Sequence, residues 1–294
     1  MATVPNRNKE ERFRFIKDHA EFDVRYLCER LGVSSSGYYK WRNRKPSHRQ
    51  KDNTRIAKKI VSIFHEHDGN YGSPRLCRAL HDEGEKVNHK RLERIMRELG
   101  LVGKAAKVYR RKSLPKRFFD KFANLRVDCP KPTAMNKQWV GDVTYLKVAG
   151  KHHFLATVMD VYSRKIVGWA LRDYRNSDLT REALRNALRC RRISSDLIFH
   201  TDRGSEYGSY LLQGELSKAR IKPSMNRPGY MTDNAHMESF FHSLKTQSFK
   251  GLSFKDEREL RVTLSHYIDH YYNVKRLHSG IGYTTPEKYE KMAT

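Results

Sequence analysis

The sequence lacks most features that mark membrane, secreted or cross-linked proteins. No apolar run approaches the roughly 18 residues a membrane span needs. The opening MATVPNRNKEERFRF has no apolar segment of the signal-peptide kind, which predicts that the chain is not exported. Only four cysteines occur, Cys28, Cys77, Cys129 and Cys190, and none forms a Cys-x-x-Cys pair. That spacing argues against a disulfide frame or a zinc cluster and for reduced cytoplasmic thiols. Apolar residues are scarce too: 38% of 294, with a mean hydropathy of -0.82. Part of the chain is therefore expected to be surface-rich or extended rather than deep core. Leucine heptads and internal repeats are missing as well.

Negative charge is the next shortage. Lys and Arg number 59 against 33 Asp and Glu, a formal net charge of +26. Residues 1–125 hold 31 basic and 15 acidic residues, a net of +16, and the remainder holds 28 and 18, a net of +10. A field of that sign concentrates polyanions, and nucleic acid is the commonest polyanion in a cytoplasm.

Residues 9–45 read as a small helical unit. Phe13, Phe15 and Ile16 fit one helix; Val24, Leu27, Cys28 and Leu31 fit a second. A Gly32-Val33 turn follows, and Ser34 can cap a third helix carrying Tyr38, Lys40, Trp41, Arg42 and Arg44. Helix, glycine turn and capped basic helix is a helix-turn-helix layout, whose last helix enters a major groove. Those five residues are the candidate DNA contacts of a domain over 1–48. A second helical DNA-binding domain is expected over 49–102. It has Ile56, Ile60, Ile63 and Phe64 on one helix, and Pro74 opens another through Leu76 and Leu80. In VNHKRLERIMRELG, Leu92, Ile95, Met96 and Leu99 share a face; Lys90, Arg91 and Arg94 lie largely off it, as candidate DNA contacts. Residues 103–135 lose periodicity. KAAKVYRRKSLPKRFF interleaves basic and aromatic residues, so Arg110, Arg111 and Lys112 are read as a linker tracking a phosphate backbone.

From 136 the pattern changes. QWVGDVTYLKV, HHFLATVMDV and RKIVGWAL are short β-rich runs, with a turn at DVYSRK. A helix at 178–190, the strand DLIFH, a helix near 209–220, the strand IKPSM and a helix from about 233 follow. This predicts a mixed five-stranded sheet covered by helices over 136–252, with a helical tail over 253–294 that includes one helix at 256–273.

Three acids stand out in this part. Asp142 interrupts an apolar strand between Val140 and Val143, where an ionised carboxylate is costly unless it is paired or binds a cation. Asp202 directly follows the strand LIFH, at the end where α/β sheets present ligands. Glu238 shares a helical stripe with Asn234, His242 and Lys245, beside the apolar Met237, Phe240, Phe241 and Leu244. Hard divalent cations take such oxygen ligands, and two ions can serve a phosphoryl displacement. The 35 residues between Asp202 and Glu238 carry little weight by themselves. With 33 acids in 294 positions, an acid falls at any fixed offset about one time in nine.

The surrounding text is more specific. WVGDVTY, HTDRGSEY and DNAHMESFFHSLK resemble the catalytic core of insertion-sequence transposases related to retroviral integrases. FDVRYLCERLGVSSSGYYKW, YGSPRLCRAL, VNHKRLERIMRELGL, MDVYSRKIVGWAL and RLHSGIGYTTPEKY resemble the second-frame catalytic protein of the IS-three family, nearly throughout. The resemblance implies a ribonuclease-H-like core whose three acids map onto Asp142, Asp202 and Glu238. It implies Mg²⁺ or Mn²⁺, as two ions, and strand transfer by a 3′-hydroxyl at element ends. Asn234 and Lys245 match positions near the third acid; this points to a supporting role beside the metal for Asn234 and to DNA phosphate for Lys245, and both are counted among the candidate DNA contacts. Arg203 follows Asp202 in the loop expected to meet DNA. The implied partners are duplex DNA, as terminal repeats and target, and further copies of the chain in a homodimer or larger synaptic complex, in the bacterial nucleoid. Full-length recombinases of this type also carry an upstream helix-turn-helix and leucine zipper. The missing heptads suggest that this chain lacks that part.

Two other readings fit some of these features. A non-enzymatic DNA-binding regulator accounts for the charge and the helical units but not for an aspartate in mid-strand. A hydrolytic nuclease would use the same acids with water as nucleophile. Asp160 could be a further acid of the site, although a turn-capping role suits it better. His200, His236 and His242 read as packing or DNA contacts.

Overall fold

The computed structural model describes residues 8–104, 122–127, 129–193, 196–228, 230–249 and 252–293. Two compact units emerge, Met1–Lys59 and Ile60–Thr294, with the division inside one long helix. Among the described residues no helix is long and apolar enough to cross a membrane.

In the first unit, α1 (Lys9–Asp18), α2 (Val24–Arg30) and α3 (Ser35–Arg42) are each started by a side-chain cap. Asn8, Asp23 and Ser34 accept hydrogen bonds from backbone N–H groups of the first turns that would otherwise lack a partner. Gly32 adopts φ +62°, the left-handed conformation the turn between α2 and α3 requires. Phe13, Ile16, Leu27, Cys28, Leu31 and Tyr38 fill the small core.

The second unit begins in α4 (His48–Glu66) and continues through α5 (Ser73–Asp82) and α6 (His89–Glu98). Leu76, Leu80, Leu92, Ile95 and Met96 are buried between the last two helices, and Gly100 at φ +67° ends α6. This helical segment is tied to the far end of the chain. Tyr71 Oη donates to the Lys275 carbonyl at 3.2 Å and accepts from the Leu277 N–H at 3.1 Å. Arg75 Nε donates to the Leu277 carbonyl at 2.9 Å.

The sheet contains β1 (Gln138–Val148), β2 (Lys151–Asp160), β3 (Ile166–Arg172), β4 (Ile198–Thr201) and β5 (Lys222–Met225), in the order β3-β2-β1-β4-β5. The first three strands run antiparallel through short links. β4 lies parallel to β1, and β5 parallel to β4. Parallel neighbours need crossovers, supplied by α7 (Ser177–Cys190) and α8 (Tyr210–Lys218). This is the mixed, ribonuclease-H-like sheet that the sequence predicts.

Side chains alternate across β1 and divide the core in two. Trp139 joins Leu184, Phe199 and Leu212 on the α7/α8 side. Val140, Leu146 and Val148 pack with Phe240 and Leu244 of α9 (Ala235–Leu244) and with Leu260 and Leu264 of α10 (Glu257–Ser265). The expected single helix at 256–273 instead changes after Ser265 into a wider π-type turn over His266–Tyr272. Four of those seven side chains, Tyr267, Ile268, Tyr271 and Tyr272, are buried. The i-to-i+5 spacing of that turn sets Tyr267 and Tyr272 one above the other, which helps to bury so many adjacent bulky groups. The short α11 (Pro286–Lys291) closes the tail.

Candidate active site

Strand register brings two of the acids together. β1 and β4 pair in parallel from Gln138 with Ile198 to Gly141 with Thr201. Asp142 and Asp202 are therefore the next residues on neighbouring chains, where the two strands part. Neighbouring strands lie about 4.8 Å apart. Gly141 is needed for this arrangement, because a Cβ there would stand 2.6 Å from the Phe199 ring. By alternation Asp142 faces α9, as Val140 does, and its cross-strand partner on that face is Thr157 of β2.

Both aspartates keep a partly exposed edge. Asp142 Oδ1 accepts the Val143 N–H at 2.7 Å, and Asp202 Oδ1 accepts the Gly204 N–H at 3.0 Å. The Asp142 carboxyl is held well above the usual carboxylate range, first by burial and then by the charge of Asp202; the Val143 N–H and the Arg175 guanidinium oppose this. Tyr207, buried behind the pair, has its phenol pushed up by burial and then by Asp142 and Asp202.

A fourth acid belongs to the neighbourhood. Glu206 is 5% exposed and forms an ion pair with Arg175, whose Nε donates to Glu206 Oε1 at 2.7 Å. A Cβ on Gly204 would lie 2.5 Å from Glu206 Oε1 and 3.0 Å from Asp202 Oδ1, so only glycine lets the two acids fold round this turn. Sequence reasoning passed over Glu206 and Arg175. The one available signal was the four-residue offset of Glu206 from Asp202 in HTDRGSEY. Nothing around Arg175 marks it.

Glu238 arrives differently. The Asn234 side chain, 2% exposed, donates from Nδ2 to the Gly141 carbonyl at 3.1 Å and so fastens the start of α9 to β1 beside Asp142. Glu238 lies one turn further along and is exposed. Among the described residues no three His, Cys, Asp or Glu side chains gather closely enough to hold an ion. Asp142 and Asp202 meet, while Glu238 stands apart on α9, so the expected convergence of three carboxylates is incomplete. Like charges repel in a partly buried site, and an exposed glutamate keeps its hydration.

The remaining candidates separate by exposure. Two are corrected. Tyr38 is 2% exposed and its ring fills the core against Phe13 and Trp41, so it cannot reach a groove. Asn234 is buried and bonded to backbone, which makes it a positioning residue rather than a DNA contact. Trp41 is half-buried on Phe13, whereas Lys40 and Arg42 are exposed on α3 and Arg44, expected on that helix, is exposed just beyond its end. On α6, Lys90 is exposed, Arg91 is half-buried, and Arg94 pairs with Glu98 at 2.8 Å. Arg110, Arg111 and Lys112 lie outside the described residues. Arg203 Nε donates to the Asn226 carbonyl at 2.6 Å. Lys245 places its ammonium 4.8 Å from the centre of the Tyr145 ring, on the line that continues from Glu238.

His200 and Asp160 are structural. His200 is buried between Ser224 Oγ at 2.8 Å and Asn226 Oδ1 at 2.7 Å, and burial followed by Arg126 pulls its pKa down to about 4. Asp160 is fully buried and accepts the Asn136 and Tyr162 N–H groups at 2.7 and 2.9 Å, which fixes the β2–β3 turn.

Known proteins share this organisation. Two family models described as an integrase core domain match residues 132–231 and 219–286, the first spanning Asp142 and Asp202 and the second Glu238. A model described as an HTH-like domain matches 51–112, which places that likeness on α4 to α6. The chain is 38% identical over 255 residues to the transposase for insertion sequence element IS904 of Lactococcus lactis, covering 85% of this chain and 98% of that protein. It is 34% identical over 282 residues to transposase InsF for insertion sequence IS3A of Escherichia coli, covering 95% and 98%. A 31 kDa protein of insertion element IS600 from Shigella sonnei is 35% identical over 271 residues, covering 91% and 100%. Among solved structures, a chain of a simian T-cell lymphotropic virus intasome aligns over 80% of this chain and 74% of its own, with 18% identity and a TM-score of 0.46.

Proposed function

The chain belongs to the IS-three family of insertion-sequence transposases, and from that premise we propose that Asp142, Asp202 and Glu238 carry its chemistry as a DDE-type polynucleotidyl transferase. The observation that supports this most is the pairing of Asp142 and Asp202 where β1 and β4 part, with α9 fastened beside them through Asn234. A carboxyl raised by burial and by the charge of a neighbouring carboxylate suits a site that a cation completes.

The donor set suits a hard divalent ion such as Mg²⁺ or Mn²⁺. It consists of oxygens, and two further oxygens beside it are buried without a hydrogen-bond partner: Asn234 Oδ1 and Thr157 Oγ1. Two ions held by the three acids would polarise the attacking and leaving oxygens of a phosphoryl displacement. The protein's own groups do the positioning. The Val143 and Gly204 N–H groups fix the two aspartates, Asn234 fixes α9 against β1, and the exposed Glu238 closes the site once a DNA strand lies along the helix. Lys245, braced on Tyr145, meets a phosphate of that strand.

In the reaction a 3′-hydroxyl at an element end attacks a target phosphorus. A new P–O bond forms as the target P–O3′ bond breaks, and the displaced 3′-oxygen leaves with a proton. The DNA consists of the element's terminal repeats and a target duplex. Both ends must be held at once, which calls for a homodimer or a larger synaptic complex.

Glu238→Gln keeps the shape of the side chain and removes one charge. It should fold and bind duplex DNA like wild type but yield no cleaved or joined product with element ends and Mg²⁺. Wild-type joining by this variant would remove Glu238 from the site. If wild type cuts strands and never joins them, a hydrolytic nuclease replaces the transferase.

A further inference from the structure

α9 has a second polar flank. Ser239 and Ser243 lie about 100° round the helix from Glu238 and His242, since each residue turns the helix by that amount. With His236 they wall a cavity of about 160 Å³. Facing them are Arg164 from the β2–β3 turn, Arg75 from the first turn of α5, and Arg276 with His278 from the tail. Among the described residues no aspartate or glutamate lines the cavity.

The partners of Arg276 and Arg75 are neutral. Arg276 is 6% exposed; its Nε donates to Gln247 Oε1 at 3.1 Å, and its terminal nitrogens lie 3.1 Å from Ser243 Oγ and 3.3 Å from His278 Nδ1. Arg75 donates to a backbone carbonyl, and its pKa is lowered first by burial and then by Arg276. Burial also lowers the pKa of Arg164. Guanidiniums stay protonated in proteins, so three positive charges share one concavity without a carboxylate. Partly buried charge of one sign is costly unless a counter-charge arrives. The planar fork of arginine matches phosphate oxygens, and serine hydroxyls complete such a shell.

The entrance indicates the source of the anion. Ser239, Ser279 and Gly280 at the mouth are exposed, and a Cβ on Gly280 would stand 3.1 Å from an Arg164 terminal nitrogen. A chain as basic as this one, with an acid line one side-step round the same helix, is placed to hold a strand there. We propose that this cavity is a phosphate site that seats one backbone phosphate of the DNA strand running along α9. The assignment rests on the DNA-processing reading above and adds a contact point between α5, the β2–β3 turn, α9 and the tail.

Inorganic phosphate is the first probe and a labelled DNA duplex the second. Phosphate should raise the melting temperature of wild type above that in chloride at matched ionic strength. Arg164→Gln, which removes one charge at the mouth, should melt like wild type in chloride and lose the phosphate effect. It should also bind the duplex several-fold more weakly, with a salt slope smaller by about 0.9. If Arg164→Gln does not fold, Ser239→Asp sets a competing carboxylate at the exposed mouth and should show the same losses. Wild type indifferent to phosphate would overturn the site. A variant that loses the phosphate effect but keeps wild-type DNA affinity and slope would overturn its assignment to DNA. Failure of wild type to join DNA ends would defeat the transferase reading alone, because these binding measurements do not depend on it.

Discussion

One flank of α9 carries the exposed Glu238 and the half-buried His242, on a helix whose start is fastened beside Asp142 through Asn234. The other, with Ser239 and Ser243, closes a cavity with Arg75, Arg164 and Arg276. The acid side is compensated only in part: Arg175 pairs with Glu206, while the Asp142 carboxyl is raised first by burial and then by Asp202, against a smaller opposing effect of Arg175. The basic side is answered by a serine, a glutamine, a histidine and a backbone carbonyl. Among the described residues the acid side carries a carboxyl held up by burial and a like charge, and no acid lines the basic cavity. A folded protein tolerates such sets where a ligand supplies the missing sign, and DNA arriving with divalent cations brings both signs. The two flanks therefore read as halves of one interface: cations on one side, phosphate on the other.

The largest expected effect separates the halves by chemistry. Asp202→Asn can keep the acceptor for the Gly204 N–H but loses a charge. If that charge holds metal worth several kcal/mol in the transition state, joining should fall more than about a hundredfold. Duplex affinity should hold or rise, since a repulsive charge has gone. A parallel loss of affinity would mean the acid side serves DNA binding rather than chemistry.

Asn234→Ala cuts the tie between the halves. It leaves the Gly141 carbonyl without its partner, at a cost of about 1–3 kcal/mol in stability. Joining should drop about tenfold, in the range seen when groups that orient metal ligands are removed. Stabilisation by phosphate should persist, because the arginine cavity does not include Asn234. Unchanged joining would show that Glu238 needs no anchoring through β1.

The smallest effect tests whether DNA contact extends to the first unit. Replacing the exposed Arg42 and Arg44 by Ala should weaken duplex binding several-fold and reduce the salt slope by about 1.8, at about 0.9 per phosphate contact. Joining by pre-bound complexes should stay near wild type. An identical slope would confine phosphate contacts to the second unit.

The legible parts of the sequence were those with a local signature. The alternation of β1 to β3 placed Asp142 in an apolar strand, the cap Ser34 announced α3, and the apolar stripe of α9 marked the face beside Glu238. What stayed hidden depends on partners distant in sequence. The resemblance implied that Asp142 and Asp202 share a site, but the parallel register that joins them links strands about sixty residues apart, and the Arg175–Glu206 pair comes from a fold-back across 31 positions. Tyr71 reaches the Lys275 carbonyl across 204 positions, so nothing near either residue shows that α5 borders a cavity with the tail. Tyr38 and Asn234 were misread for a shared reason. A polar or aromatic residue on a short helix can serve the core as readily as a ligand, and only burial distinguishes the two uses. The windows that hold Arg110 to Lys112 lie outside the described residues, so the linker reading rests on composition alone.

The central claim is that Asp142 sits in its strand because a cation completes it, and melting curves of wild type and Asp142→Asn test this most directly. Its folded pKa lies above the usual carboxylate range, so without metal the group opposes folding at neutral pH; that penalty shrinks as pH falls through the raised pKa and vanishes below the ordinary one. In metal-free buffer at neutral pH, Asp142→Asn should therefore melt at or above wild type, with the gap closing on acidification. Mg²⁺, with a short DNA duplex present, should raise the melting temperature of wild type and leave Asp142→Asn unmoved. A wild-type curve indifferent to Mg²⁺, together with an Asp142→Asn protein that unfolds without it, would make the aspartate a structural residue and contradict the account.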